Sequence, residues 1–243
     1  MKEQSILAYQ KETWKRYKAA IGLPDPYNYL YGNPVKVHVP IDTAEGGLMI
    51  IGAYPTAHFN VIKSIRDVPV EDHLYPFSNE IYFDGSSINC VKSGKEIEEY
   101  FLDYLGISRN ACWITDLVKV FLFKEGHIKK YQELNVHSVL ENRSRFNEYA
   151  EKSISYIHQE IALAKPKAII GLGTEVNSVL LESSNLITQA KMLASERVSY
   201  NVFGEEYSYF PVAHPGILMR NGIHADKWRG ALNKSLEQVK QLL

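Results

Sequence analysis

Ala168-Ile169-Ile170-Gly171-Leu172, entered from Lys165-Pro166-Lys167 and left through Gly173-Thr174-Glu175, decides the fold class. An unbroken apolar run between Pro and Gly suits a strand covered on both faces, as in a parallel sheet, rather than a half-solvated strand with alternating side chains. Three further runs read the same way: Leu48-Met49-Ile50-Ile51, Cys112-Trp113-Ile114-Thr115 and Tyr209-Phe210-Pro211-Val212. Helical spacing separates them. Ile97, Phe101 and Leu105 precede Gly106, Ile154, Ile157 and Ile161 precede Pro166, and Trp228, Leu232, Leu236 and Val239 recur across 225–242. Strands alternating with helices predict an α/β fold, a three-layer α/β/α sandwich around a central, mostly parallel four-stranded sheet. Pro211 lacks an N–H to donate, so its strand is expected at an edge or near a late bend.

Upstream of the first run, residues 3–20 carry Ile6, Trp14 and Tyr17 among charged residues and stop at Gly22-Leu23-Pro24, which predicts a peripheral helix. The stretch 24–40, rich in Pro, Tyr, Asn and Gly, predicts an irregular arm with its aromatics laid on the domain. The expected organisation is one domain over 1–243, with 1–46 as N-terminal helix and arm. At 243 residues and 45% hydrophobic the chain can bury a core. Its 27 Lys+Arg against 28 Asp+Glu exclude a uniformly cationic nucleic-acid coat and leave only a local patch for that purpose. Two cysteines, Cys90 and Cys112, are too few for a four-cysteine zinc or iron–sulfur site, and a chain of this size needs no disulfide scaffold. No apolar leader core and no run of about 18 apolar residues occurs. We therefore expect a soluble, cytoplasmic monomer with no membrane contact, no metal and no cofactor.

In a parallel sheet, ligands bind beyond the carboxyl ends of the strands. Those ends carry Gly52-Ala53-Tyr54-Pro55-Thr56, Asp116-Leu117-Val118-Lys119, Gly173-Thr174-Glu175 and His214-Pro215-Gly216. Taken in order and with their flanking strands, they resemble the uracil-DNA glycosylase superfamily over roughly residues 47–220. Gly52-Ala53-Tyr54-Pro55-Thr56 is similar to the superfamily's Gly-x-x-Pro water-activating loop. Phe83-Asp84-Gly85, ahead of a helix ending at Leu105-Gly106-Ile107, resembles the Phe-x-Gly segment whose ring stacks on the flipped base. Trp113 to Lys119 resembles the strand ending in Thr-Asn-x-Val-Lys, where the Asn reads the pyrimidine edge. Lys165 to Gly173 resembles the structural Lys-Pro strand, and Ala213-His214-Pro215-Gly216 the second catalytic motif, His-Pro-Ser.

Departures from the pattern fall on the chemistry. Where the family has Asp, Asn or Glu in the first loop, this chain has Ala53 and Tyr54, which cannot polarise water as a carboxylate does. Asp116 replaces the reading Asn and, if ionised, accepts hydrogen bonds but donates none. Gly216 replaces the final Ser, and the cysteines of the iron–sulfur branch are missing.

Breaking an N-glycosidic bond leaves negative charge on the departing base, and a fixed donor beside a base carbonyl stabilises it. The resemblance assigns that donor to His214; the alternative is a His capping a strand end. Tyr54 has three readings: a plug closing the pocket, a hydroxyl positioning water or phosphate, or a core aromatic. A phenol with pKa about 10 is a poor base. Asp116 is either a site carboxylate or the cap of a following turn, and His58 is a substitute base or a surface residue. Phe83 either stacks a base or packs in the core. Leu218 or Met219 would be the wedge that holds a flipped base out, with Arg220 on a phosphate, unless the loop simply packs on the last helix. Lys119, Lys124, Lys129, Lys130, Arg143 and Arg145 form a basic segment, diluted by Glu125, Glu133 and Glu141, that reads as loops and either meets phosphates or is a solvated face.

Catalytic candidates are thus His214, Tyr54 and Asp116, with Gly52, Ala53, Pro55, Phe83, Pro215, Leu218, Met219 and Arg220 for substrate binding. The expected function is hydrolysis of the N-glycosidic bond of a damaged or deaminated base in DNA. The alternative is a catalytically inactive module of the same fold that binds nucleic acid, a nucleotide or a protein partner.

Overall fold

The computed structural model describes residues 5–29, 32–62, 65–72, 75–83, 86–137, 139–218 and 220–243, with the backbone alone for 58–62 and 65–72. Its chain order is α1 (Ile6–Ala20), β1 (Leu48–Gly52), β2 (Ala57–Ile62), β3 (Ile65–Asp72), β4 (Ile81–Phe83) and β5 (Ile88–Cys90). Then follow α2 (Lys92–Ile97), which runs through a π turn at Glu98–Leu102 into α3 (Asp103–Leu105), β6 (Cys112–Asp116), α4 (Glu125–Glu133), α5 (Phe146–Ala164) and β7 (Ala168–Leu172). The chain closes with α6 (Gly173–Leu180), α7 (Asn185–Ala194), β8 (Val198–Val202), β9 (Glu205–Val212), α8 (Pro215–Leu218) and α9 (Ile223–Lys240).

The main sheet has the order β6-β1-β7-β9-β8, and all pairs are parallel except β8–β9. The expected four strands are therefore five. Val198-Ser199-Tyr200-Asn201-Val202 buries only Tyr200 and Val202, because an edge strand with one wet face alternates instead of forming a continuous run. It turns into β9 through Phe203 and Gly204, both at positive φ, the geometry of a two-residue hairpin. Pro211 lies on a strand with two neighbours, but β8 pairing stops at Tyr209, so Pro211 has no antiparallel partner to disappoint.

β1, β6 and β7 are buried along their whole length, as covered strands must be. Within each, side chains still alternate. Met49, Ile51, Trp113 and Ile169 join a core with α1, α5, α6 and the arm, while Leu48, Ile50, Ile114 and Ile170 join a second core with α2, α3, α7 and α9. Three layers result. In α5 the buried face runs through Phe146, Tyr149, Ser153, Ile157, Glu160, Ile161 and Ala164, and the helix ends where Lys165 turns left-handed before Pro166. In α1 the buried face is Tyr9, Thr13 and Tyr17, so Trp14 points to solvent.

The arm supplies hydrogen bonds that the sheet does not. Segment 117–123 is buried without being a strand, and its carbonyls at Lys119 and Phe121 accept from the His38 N–H (2.7 Å) and the Tyr27 hydroxyl (2.7 Å). The outer side of β6 is met by Asp42 and Ala44, where Ile114 N–H donates to Asp42 O at 3.0 Å and Ala44 N–H to Cys112 O at 3.1 Å. Among the described residues no helix is long and apolar enough to cross a membrane.

Candidate functional site

The carboxyl ends of β1, β6 and β9 and the start of α6 surround a cleft of about 370 Å³. Ala53, Tyr54 and Pro55 after β1, Asp116 at the end of β6, Glu175 in α6, and His214 with Gly216 after β9 all line it. Tyr54, Asp116 and His214, far apart in sequence, therefore share one cavity. The β1 and β6 ends are tied together past the strands themselves: Leu117 N–H donates to Gly52 O at 2.8 Å and Val118 N–H to Ala53 O at 2.9 Å. Gly52 is required by a close approach. A Cβ there would lie 2.4 Å from Asp116 Oδ1 and 2.4 Å from the Phe77 ring.

His214 faces the cleft with a defined tautomer. Gly216 N–H donates to its Nδ1 at 3.1 Å, so in the neutral ring the proton sits on Nε2. Burial lowers the imidazole below its ordinary range, partly opposed by Glu175, and this favours the neutral form. Gly173, at φ 86, passes close behind: a Cβ on it would sit 3.3 Å from the His214 Cβ. Pro215 is buried at the start of α8.

Tyr54 is half-buried and pinned. Arg143 Nε donates to its hydroxyl at 2.7 Å, and the guanidinium also lies over the Tyr54 ring, 4.8 Å from the centroid. The same guanidinium is bonded through Nη2 to Glu175. Arg143 therefore serves the cleft wall and not a free cationic patch.

Asp116 is 2% exposed. Its turn is fixed from behind by Lys119, whose ammonium donates to the Asp116 carbonyl (3.0 Å) and to Thr115 Oγ1 (2.7 Å). The Lys119 and Glu160 side chains are both 0% exposed, with Nζ 2.6 Å from Glu160 Oε1. That carboxylate also accepts from the Tyr9 hydroxyl at 2.5 Å and from Trp113 Nε1 at 3.3 Å. Burial beside Glu160 pushes the Tyr9 phenol well above its ordinary range. Lys119 thus cannot meet phosphate. Most of the remaining basic segment is not loop: Lys129 and Lys130 lie on α4, Lys129 pairs with Glu125, and Arg145 pairs with Glu148.

Two expected contacts fall elsewhere. Phe83 stands on the β4–β5 hairpin, 60% exposed, and does not line the cleft; the aromatic there is Phe77. Phe77 takes φ 51, unusual for a bulky residue, and its carbonyl accepts from Arg109 Nη2 at 2.5 Å while Arg109 Nε donates to Asp42 at 2.7 Å. Leu218 is fully buried, because the short helix α8 turns it into the second core, so it cannot serve as a wedge. Met219 lies outside the described residues, as do Asp84 and Gly85. Arg220 is exposed, and Arg229 holds its loop by donating to the carbonyls of Leu218 and Arg220. His58 lies on β2, where the backbone alone is described.

Sequence reasoning missed Thr56, Phe77, Lys92, Ser93, Glu96 and Glu175 in the lining. Phe77 carried no motif of its own, and Thr56 and Glu175 stood in strand-end loops already named. Glu96 had no signal, since it sits one residue before the core position Ile97. A larger groove of about 740 Å³ adjoins the cleft at Arg143 and Glu175, its rim including Glu151 and Glu182. Among the described residues no group of three or more His, Cys, Asp or Glu side chains is set to hold a metal ion. Residues 41–237 match the family model of the Uracil DNA glycosylase superfamily. No curated protein matches the chain.

Proposed function

Because this chain belongs to the uracil DNA glycosylase superfamily, we propose that it hydrolyses the N-glycosidic bond of a damaged or deaminated base in DNA. The observation that carries this reading is the Gly216 N–H to His214 Nδ1 hydrogen bond, which leaves Nε2–H as a donor facing the cleft. As the C1′–N bond lengthens, charge moves onto the base, and a neutral, preorganised N–H beside a base oxygen stabilises the transition state more than the ground state. Phe77, in place of Phe83, offers the stacking face, a contact worth about 1–3 kcal/mol per base. A cleft of about 370 Å³ suits one base and its sugar and not a paired duplex, so the nucleotide must leave the stack to react. Asp116, in the same lining as Phe77, accepts from an N–H or amino group of the base.

A second reading, recognition of a base without turnover, is favoured by one observation: the first loop offers Ala53 and a Tyr54 whose hydroxyl already accepts from Arg143. One experiment separates the two. Single-turnover release of base from oligonucleotides carrying uracil, hypoxanthine or xanthine should be detectable for at least one of them and fall sharply in His214→Ala. Binding of an oligonucleotide with no release from any of the three would establish the second reading.

A further inference from the structure

The cleft contains a carboxylate that no motif of the sequence announced. Glu96 projects from α2, which packs on α8, the short helix that begins at Pro215 beside His214. It lines the same cavity as His214, Tyr54 and Phe77, yet is only 8% exposed. Among the described residues its carboxylate accepts no hydrogen bond and forms no ion pair; Lys92, one turn earlier, and Glu99 act on it only through space.

The other carboxylates of the cleft and the Tyr54 hydroxyl are already engaged. The Tyr54 hydroxyl accepts from Arg143, Glu175 is held by the same guanidinium, and Asp116 is the group assigned above to the base. Resting on the glycosylase reading above, we propose that Glu96 is the general base that activates the attacking water, replacing the carboxylate that Ala53 and Tyr54 lack. The water oxygen forms a bond to C1′ of the sugar as the C1′–N bond breaks. The electron pair of that bond leaves with the base, whose oxygen His214 Nε2–H stabilises, and the proton released by water passes to Glu96. Transfer of that proton to the departing base or to solvent resets the carboxylate, so the products are the free base and an abasic sugar hydroxyl. Burial raises the Glu96 carboxyl above its ordinary range, partly opposed by Lys92, which brings it nearer the basicity a general base needs at neutral pH.

The test is the single-turnover base-release assay on the three oligonucleotides, run with the full chain, Glu96→Gln, Glu96→Ala and, as control, Asp103→Asn, an exposed carboxylate at the start of α3. Glu96→Gln should slow release about 10²–10⁴-fold with oligonucleotide binding unchanged, and sodium formate should restore part of the rate to Glu96→Ala but not to His214→Ala. Asp103→Asn should match the wild type. Thermal melting accompanies each variant. If Glu96→Gln fails to fold, formate rescue of Glu96→Ala decides, and if both fail, Glu96→Met, which keeps bulk without a carboxylate, decides: a rate within about threefold of wild type overturns the proposal. An active wild type with an unaffected Glu96→Gln, or a folded Glu96→Ala that formate does not rescue, removes Glu96 alone. A wild type that binds but releases no base removes the glycosylase reading, and the assignment of Glu96 with it.

Discussion

Replacing Glu160 by Gln tests how the cleft is held from behind. The substitution keeps volume and removes one charge from a pair whose members are both fully buried. Glu160 Oε1 accepts from the Lys119 ammonium and the Tyr9 hydroxyl, and Oε2 accepts from Trp113 Nε1. An amide has a single acceptor oxygen, so whichever way it is turned its NH₂ meets a donor. Lys119 keeps Thr115 Oγ1 and the Asp116 carbonyl but loses its counter-charge. Breaking a buried pair in this way costs about 3–5 kcal/mol, far more than the loss of an exposed pair such as Lys129–Glu125. For a chain of this length that corresponds to a fall in Tm of about 6–20 °C. Urea denaturation followed by circular dichroism and tryptophan fluorescence measures it. The double variant Lys119→Met/Glu160→Leu, which removes both charges but leaves the Tyr9 and Trp113 donors without their acceptor, should recover part of the loss. A cost below about 1 kcal/mol for Glu160→Gln, or a double variant less stable than the single one, would refute the reasoning.

Gly52→Ala should cost about 1–3 kcal/mol and weaken binding of a free base, because its methyl would overlap Asp116 Oδ1 and the Phe77 ring; unchanged urea midpoint and base affinity would contradict the packing described. The imidazoles predict a pH dependence. His158 and His214 are both lowered by burial, so between those folded values and about 6.5 the unfolded chain holds protons that the folded chain does not. Stability should therefore fall as pH drops through that window. The variant His158→Gln/His214→Gln should show a shallower slope than wild type, a comparison that separates the rings from Glu96, whose raised carboxyl acts in the opposite sense; equal slopes would sink this account.

Sequence patterns revealed the fold where physics made them redundant. A strand buried on both faces must be apolar throughout, so β1, β6, β7 and the end of β9 stood out, and their carboxyl ends located Tyr54, Asp116 and His214. β8 escaped because its wet face interrupts the run, and the α1 register escaped because Tyr9 and Thr13 carry polar groups that only the tertiary partners explain. The candidate cleft was legible where a motif spans neighbouring residues, as in His214-Pro215. It was not legible where the chemistry depends on which distant side chain fills a space. Phe77 enters the cleft because Arg109 and Asp42 hold its loop, and Glu96 because α2 packs on α8; neither fact leaves a local pattern. Lys119 read as a cation available to phosphate because Glu160, on α5, could not be seen as its partner.

The Tyr9 to Glu160 hydrogen bond spans 151 positions of chain. During synthesis at about 5–20 residues per second, α1 emerges some 8–30 s before the carboxylate that receives it. In that interval Tyr9 and Tyr17 have no core to enter, and segment 117–123, when it arrives, needs the waiting arm to satisfy its carbonyls. Loop closure over such a distance is entropically late. Seating of α1 should therefore be among the last events of folding, and the cleft, whose Asp116 turn depends on that same network, should become competent to bind only when it is complete.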